Sequence, residues 1–273
     1  MIESYFFIPT DKLKFINKIP EIKADYFILD FEDSVETTSL NLAFENVKSL
    51  NNIEKFWARP FLFNQKEELD LRLITDLIEI GVRKFVLPKI FEKSHLKKIA
   101  NIGGSHLCEF IILIESAKAY VNIEKLLSFK KLRITAVTLG SHDFVNDLEM
   151  RYNIEDLKVF RQNILLYAKA YNLKSIDIAS MDIKKISSFK EEVLSGYNMG
   201  YRAKMFLHPS QLDAIKEIDF FTKEEVCFAK EVMKEFPNIS HEMGAIKFKG
   251  RILEKPHIKR ILEIVNFKNY ETK

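Results

Sequence analysis

Two acidic residues follow successive apolar, β-branched runs in this 273-residue chain. Glu115 comes directly after the run at 110–114, and Asp143 follows the run at 135–139 through a glycine-containing turn. An amphipathic segment at 119–129 lies between them, so the pattern predicts a strand–helix–strand unit. Sites in parallel α/β folds lie at the carboxyl ends of the strands, where two carboxylates can share Mg²⁺, a cation that prefers oxygen ligands. The alternative, two surface or helix-capping acids, fits this unit equally well.

Further polar residues lie at or near the ends of other strand candidates. They are Asp30, Glu32, Asp33, Arg59, Lys89, Asp177, Lys204 and His208. The acids at 30–33 repel one another unless a cation, an arginine or a proton neutralises them. Each residue also has a structural alternative: the acid run as a solvated loop, Arg59 as a surface ion pair, and His208 as a turn residue before Pro209. The functional interpretation gains weight because one face of a barrel would collect all of these groups.

Eight short strand candidates alternate with helical segments. The strands are predicted at 4–8, 25–30, 55–59, 84–88, 110–115, 135–140, 175–179 and 203–207, and the clearest helices at 67–80, 119–129, 156–171, 183–197 and 210–218. This alternation predicts a (β/α)₈ TIM barrel. An open doubly wound sheet is the alternative, but no glycine-rich dinucleotide motif follows the first strand.

The alternation stops after about residue 218. A capping box at 222–225 predicts a helix to about 236, followed by a strand-poor, glycine-bearing segment at 244–253 and a last helix at 256–265. We therefore predict a catalytic barrel at 1–221 and a C-terminal helical extension at 222–273.

Composition excludes several classes of protein. The chain is 47% hydrophobic, carries a net charge of +3 and has two cysteines, which argues against a disulfide framework or a thiolate zinc site. It has no basic stripe with interleaved aromatic residues, so no nucleic-acid partner is predicted. Neither a signal peptide nor a membrane-spanning run is evident, and the predicted location is cytoplasmic.

Seven motifs, in their order and spacing, resemble the citrate lyase β-subunit-like group of the HpcH/HpaI aldolase superfamily over nearly the whole chain. The motifs lie at 5–9, 24–35, 58–60, 86–89, 113–116, 140–144 and 204–211. The resemblance implies a (β/α)₈ barrel, Mg²⁺, and cleavage or formation of a carbon–carbon bond beside a carbonyl. The implied substrate is a 2-oxo or 3-hydroxy acid or its acyl-CoA thioester.

The resemblance also implies roles for individual residues. Glu115 and Asp143 would be the metal ligands, and Arg59 would hold substrate oxygens. Glu32 and Asp33 would order metal-bound waters and support the metal ligands.

Three further site residues follow from the last motif and the tail. Lys204 and His208 are predicted cofactor-binding residues. Glu254 stands where the family has an aspartate that serves as acid/base in a neighbouring subunit's site. A homo-oligomer, a trimer or a larger assembly, is therefore predicted.

Several positions depart from the family pattern. Glu3, Thr10 and Ala203 replace an arginine and two glycines, and His142 replaces an acid beside Asp143. These changes lie where a CoA-type ligand is handled, so they favour the metal site over the CoA substrate. The predicted activity is a carbon–carbon lyase. The alternatives are a malate-synthase-like condensing enzyme, a thioester hydrolase on the same site, or a barrel that binds ligand without turnover.

Overall fold

Eight parallel strands form the centre of the computed structural model, which describes residues 2–271 apart from the side chains at 37 and 268–271. The strands are β1 Glu3–Pro9, β2 Tyr26–Asp30, β3 Trp57–Arg59, β4 Lys84–Leu87, β5 Glu109–Ile114, β6 Arg133–Leu139, β7 Lys174–Ile176 and β8 Ala203–Phe206. They pair in the order β7-β6-β5-β4-β3-β2-β1-β8. All eight predicted strands are confirmed to within a few residues.

The sheet closes between β7 and β8. Asp177, just after β7, forms a parallel bridge with Lys204 on β8. Its backbone N–H donates to the Ala203 carbonyl over 2.8 Å, and its carbonyl accepts from the Met205 N–H over 3.1 Å. The predicted (β/α)₈ barrel is confirmed. Consecutive strands from β1 to β7 are neighbours, β8 pairs with β1, and the bridge between Asp177 and Lys204 joins the end of β7 to β8.

Side chains pack the barrel interior. Alternate residues along each strand enter one core cluster, as Tyr5 and Phe7 do on β1 and Ile111 and Leu113 do on β5. This two-residue period follows from strand geometry, in which successive side chains point to opposite faces. The interior is therefore a packed core, and a ligand site must lie at an end of the barrel.

Helices follow the strands. They are α1 Leu13–Ile16, α2 Leu40–Lys48, α3 Arg72–Glu79, α4 Lys93–Ala100, α5 Ala117–Val121, α6 Ile123–Leu127, α7 Ser141–Asp147, α8 Lys158–Ala170, α9 Ile186–Met199 and α10 Pro209–Ile215. Short 3-10 helices lie at Ile19–Glu21, Thr37–Ser39, Ile53–Lys55 and Ser105–Leu107. The single helix predicted at 119–129 is instead two short helices, because the backbone leaves the helical region at Asn122.

Backbone contacts divide the chain into two compact units, Ile2–Glu217 and the residues from Ile218 onward. The second unit contains α11 Lys223–Glu235, β9 Ile246–Phe248, β10 Arg251–Leu253 and α12 Lys255–Glu271. The capping box that begins α11 is present. The segment predicted to be strand-poor forms an antiparallel hairpin, whose turn places Lys249 and Gly250 at positive φ. Within residues 2–271, no helix is long and apolar enough to cross a membrane.

Candidate active site

A cavity of about 540 Å³ lies at the carboxyl ends of the barrel strands. Its lining includes four residues predicted from the sequence, Asp33, Arg59, Glu115 and Asp143. β3 ends at Arg59 and β5 ends just before Glu115, whereas Asp143 lies in the first turn of α7 after β6. The strand ends therefore bring together groups that are far apart in the chain, as the barrel geometry predicts.

Arg59 is held by Asp30. The two residues are register partners on β3 and β2, and both side chains are buried. Arg59 donates from Nε to Asp30 Oδ1 over 2.7 Å and from Nη2 to Asp30 Oδ2 over 2.9 Å. Burial opposes the ionisation of Asp30, but the charge and hydrogen bonds of Arg59 hold its pKa below the ordinary value. Two-point pairing of this kind fixes the plane of the guanidinium.

The remaining guanidinium nitrogen faces the other two acids of the β2 end. Arg59 Nη1 lies 3.4 Å from Glu32 Oε2 and 3.0 Å from Asp33 Oδ2. Burial raises the pKa of Glu32 to about 7 against the opposing effect of Arg59, and the charge of Asp33 adds to the rise. Lys89 Nζ contacts the other Glu32 oxygen, Oε1, at 2.9 Å. Arg59 is therefore a shared counter-ion for this acid run.

Glu115 is almost fully buried at the base of the cavity, with 4% of its surface exposed. Its Oε2 accepts the Lys89 backbone N–H over 2.7 Å. Burial raises the pKa of Glu115 well above its ordinary value, and the nearby charges of Glu32 and Asp143 raise it further while Arg59 opposes them. A buried carboxylate among like charges is costly unless a cation or a proton neutralises it.

These residues fit a hard divalent cation. Glu115 and Asp143 supply oxygen donors only. Burial and the neighbouring negative charges raise the Glu115 pKa, and a bound cation would offset both effects by stabilising the carboxylate. The part of the chain that the structure describes contains no cluster of three or more His, Cys, Asp or Glu side chains that could hold a metal ion. Two carboxylates suffice for Mg²⁺, which keeps several waters and commonly takes one or two protein carboxylates.

Gly140 makes room for Glu115. A Cβ atom at position 140 would lie 2.3 Å from Glu115 Cγ and 2.8 Å from its Oε1, distances that no real contact tolerates. A glycine is therefore required where α7 begins, because any side chain there would displace the buried carboxylate.

We expect Gly140→Ala to weaken Mg²⁺ binding by roughly tenfold, the scale at which a displaced ligand or its support lowers metal affinity. Calorimetric titration with Mg²⁺ and thermal melting would measure the two effects. Gly103→Ala is the matched control, because a Cβ at Gly103 would meet nothing within 4 Å. Unchanged Mg²⁺ affinity in Gly140→Ala would show that Glu115 is not a ligand or that its position is unimportant.

Lys204 lies away from this cavity in a buried ionic network. Its ammonium contacts the Ile178 carbonyl at 2.6 Å and Glu192 Oε1 at 2.5 Å, with 1% of the side chain exposed. Asp177 faces the same network and accepts two hydrogen bonds from Arg161 of α8, at 3.0 and 2.7 Å. These contacts support a structural role for both Lys204 and Asp177.

His208 lines a different cavity of the barrel unit, and Glu254 belongs to the second unit. His208 is exposed and caps α10, where its Nδ1 accepts the Ser210 backbone N–H over 3.2 Å. It lines a second cavity of about 540 Å³ beside the first. Glu254 is exposed in the second unit, between β10 and α12. His142, in the first cavity, stacks on Tyr152 with ring centroids 4.4 Å apart.

Two contacts organise the site, and the sequence indicated the first only in general terms, as an arginine beside the acids at 30–33. One is the pairing of Asp30 with Arg59, and the other is the double contact of Lys89 with Glu115 and Glu32. The first has a sequence signal, since an acid and a base end two consecutive strands and such positions become register partners in a barrel. The second has none, because it depends on the backbone conformation of a single residue.

Comparison with known proteins agrees with this architecture. The sequence model of the family described as HpcH/HpaI aldolase/citrate lyase matches residues 3–209. Human mitochondrial citramalyl-CoA lyase is 25% identical, over 93% of this chain and 82% of its own length. A (3S)-malyl-CoA thioesterase of Cereibacter sphaeroides is 23% identical, over 93% of this chain and 90% of its own.

Among solved structures, CitE of Mycobacterium tuberculosis in complex with magnesium, acetoacetate and coenzyme A is similar with a TM-score of 0.78. The identity is 20%, and the match covers 97% of this chain and 98% of that one. The fold and the cavity thus define a (β/α)₈-barrel protein with carboxylates that fit a divalent cation at the carboxyl ends of its strands. The chain belongs to the HpcH/HpaI aldolase/citrate lyase family, which confirms the resemblance drawn from its motifs.

Proposed function

We propose that the protein is a Mg²⁺-dependent carbon–carbon lyase that acts on a 2-oxo or 3-hydroxy acid or its CoA thioester. The observation that carries this proposal is the pair of oxygen donors, Glu115 and Asp143, that shares one cavity with the guanidinium of Arg59. A similar solved structure holds magnesium together with a small oxo acid and coenzyme A. The relatives include a citramalyl-CoA lyase, which by name is an enzyme of this class.

In this proposal Glu115 and Asp143 hold the metal ion. Bound there, Mg²⁺ supplies electrostatic stabilisation to the oxyanion that develops when a carbon–carbon bond beside a carbonyl breaks. Arg59 Nη1, which Asp30 does not occupy but which contacts the half-exposed Asp33 at 3.0 Å, binds a carboxylate or carbonyl oxygen of the substrate. Glu32 and Asp33 position water beside the metal ion. Burial raises the Glu32 pKa to about 7, which suits a group that exchanges a proton near neutral pH.

The second cavity supports the thioester as substrate. It shares Phe7, Pro9 and Leu207 with the first, so the two cavities are adjacent. Its remaining lining combines apolar residues with His208, three lysines and two acids, namely Lys18, Lys23, Lys216, Glu21 and Asp213. Lys216 pairs with Asp213 over 2.7 Å, so Lys18 and Lys23 are the lysines that the lining acids leave for a phosphate. The CoA portion of a thioester has an apolar arm and a phosphate-bearing end. The arm would contact the apolar residues of this cavity, and the phosphates would contact its lysines. We place the CoA portion of the substrate in this cavity and the acid portion beside Glu115.

One assay, in which each possible activity gives different products, tests the proposal. Purified protein with Mg²⁺ is incubated with citramalyl-CoA or malyl-CoA, and the products are separated by chromatography. A lyase releases acetyl-CoA together with pyruvate or glyoxylate. A thioesterase, the activity named for one group of relatives, releases free CoA and the hydroxy acid. Mg²⁺ binding without either product would favour the non-catalytic barrel, and EDTA provides the metal-free control.

Four predictions from the sequence belong to this proposal in addition. Glu254 is the proposed acid/base, contributed by the tail of a neighbouring subunit of a homo-oligomer, a trimer or larger assembly. The division into a barrel domain at 1–221 and a tail at 222–273 and the cytoplasmic location also stay predictions. Light scattering on the full chain measures the oligomeric state directly.

A further inference from the structure

Lys89 occupies an unusual backbone position at the end of β4. Its φ is +55°, in the left-handed region that a residue with a side chain rarely adopts. The chain therefore turns away from the sheet just after the strand, and the Lys89 N–H donates to Glu115 Oε2 over 2.7 Å. A strained conformation that presents a donor to a buried carboxylate indicates a functional constraint at this position.

The side chain of Lys89 makes the complementary contact. Its ammonium lies 2.9 Å from Glu32 Oε1, and 48% of the side chain is exposed whereas only 7% of the Glu32 side chain is. One residue therefore holds two acids of the site, Glu115 through its amide and Glu32 through its charge.

Two cations, Arg59 and Lys89, face the five acids of the site. Arg59 matches Asp30 through two hydrogen bonds, and Lys89 matches Glu32. Asp33 is half exposed and shares Arg59 at 3.0 Å. Among the described residues, no cationic side chain forms an ion pair with the buried Glu115 or with Asp143, and the combined charge of these two carboxylates equals that of one divalent ion.

We propose that Lys89 sets the charge balance of this site, so that one divalent cation neutralises the metal-binding pair and an anionic substrate is accepted beside it. The inference rests on the proposed function. At a pH at which Glu32 is ionised, loss of the ammonium leaves the site with an additional negative charge after the metal ion binds. That charge attracts Mg²⁺ and repels the substrate carboxylate, so the two affinities change in opposite directions. Misfolding or a displaced Glu115 would weaken both together.

The test is calorimetry on Lys89→Gln, first with Mg²⁺ alone and then with pyruvate at saturating Mg²⁺. We expect Mg²⁺ to bind about threefold more tightly or better, and pyruvate about threefold more weakly or worse, because the half-exposed charge is partly screened. The difference should shrink as the salt concentration rises. Lys89→Arg keeps the charge and should restore both constants toward those of the unmodified protein.

Two further variants make the outcome decisive. Lys89→Gly removes the ammonium but favours the left-handed backbone, so it should show the same opposite changes with an unchanged or higher melting temperature. Lys97→Gln removes a charge from an exposed lysine of α4 and should change neither constant. Constants that move in the same direction, or not at all, in both Lys89→Gln and Lys89→Gly overturn the inference alone. If the unmodified protein fails to bind Mg²⁺, the proposed function fails with it.

Discussion

Glu115→Gln and Asp143→Asn should each weaken Mg²⁺ binding by roughly 100-fold or more, beyond the roughly 10- to 100-fold that loss of a supporting partner costs. Each substitution keeps the shape of the side chain and removes the charge that a hard cation requires. Isothermal calorimetry with Mg²⁺ measures the loss directly, without reference to turnover. Lyase activity, measured on the same samples, should fall with the metal affinity.

The fold should survive these substitutions. Burial raises the pKa of Glu115, so the folded protein without metal already disfavours its charged form. A glutamine there still accepts the Lys89 N–H through its amide oxygen, because that contact needs only an oxygen. We therefore expect the melting temperature of metal-free Glu115→Gln to stay unchanged or rise.

Glu109→Gln is the matched control for this prediction. Glu109 begins the same strand that leads to Glu115, and it pairs with Arg133 in an exposed contact of 3.0 Å. The same chemical change at the opposite end of β5 should leave Mg²⁺ binding intact. Normal Mg²⁺ affinity in both Glu115→Gln and Asp143→Asn would show that the assignment of the two ligands is wrong.

The strands were predictable because each is a short apolar run between loops, and the barrel followed from their alternation with helices. Features set by single residues were not. The 117–127 region divides at Asn122, where one residue leaves the helical region within an otherwise continuous apolar pattern. The 246–253 hairpin has strands of three residues each, too short for a period of two to be visible.

The site shows the same division. The sequence predicted that its acids and Arg59 lie close together, because the carboxyl ends of all barrel strands lie at one face. The sequence could not predict which of these side chains pair with one another, since pairing depends on the direction in which each side chain points. Asp177 illustrates this: its position near a strand end fits either face, and the structure pairs it with Arg161 of α8.

Arg59→Lys should lower both stability and ligand affinity, because Arg59 pairs with the buried Asp30 and, in the proposed function, also binds the substrate. From the sequence, substrate binding by Arg59 is favoured over a competing structural role, in which Arg59 lowers the repulsion among the acids at the end of β2. The buried two-point contact with Asp30 adds a structural role, since an ammonium cannot reproduce two parallel hydrogen bonds and reach Asp33 as well.

The expected loss of unfolding free energy is about 1.5–3 kcal/mol, the value of one charge-assisted hydrogen bond. Complete removal in Arg59→Met should cost more, about 3–5 kcal/mol, because it leaves Asp30 buried without its partner. Denaturant unfolding followed by circular dichroism gives both values. At saturating Mg²⁺, pyruvate affinity in Arg59→Lys should fall by roughly tenfold or more, which calorimetry measures.

Asp30→Asn separates the two roles of Arg59. It removes the anchoring charge but retains the guanidinium, so stability should fall while the arginine can still bind the substrate. If Arg59 serves substrate directly, pyruvate affinity should fall much less in Asp30→Asn than in Arg59→Lys. Equal losses of affinity would mean that only the Asp30–Arg59 pair, as a structural unit, matters to the ligand. Unaltered pyruvate binding in a folded Arg59→Lys variant would remove Arg59 from the substrate site altogether.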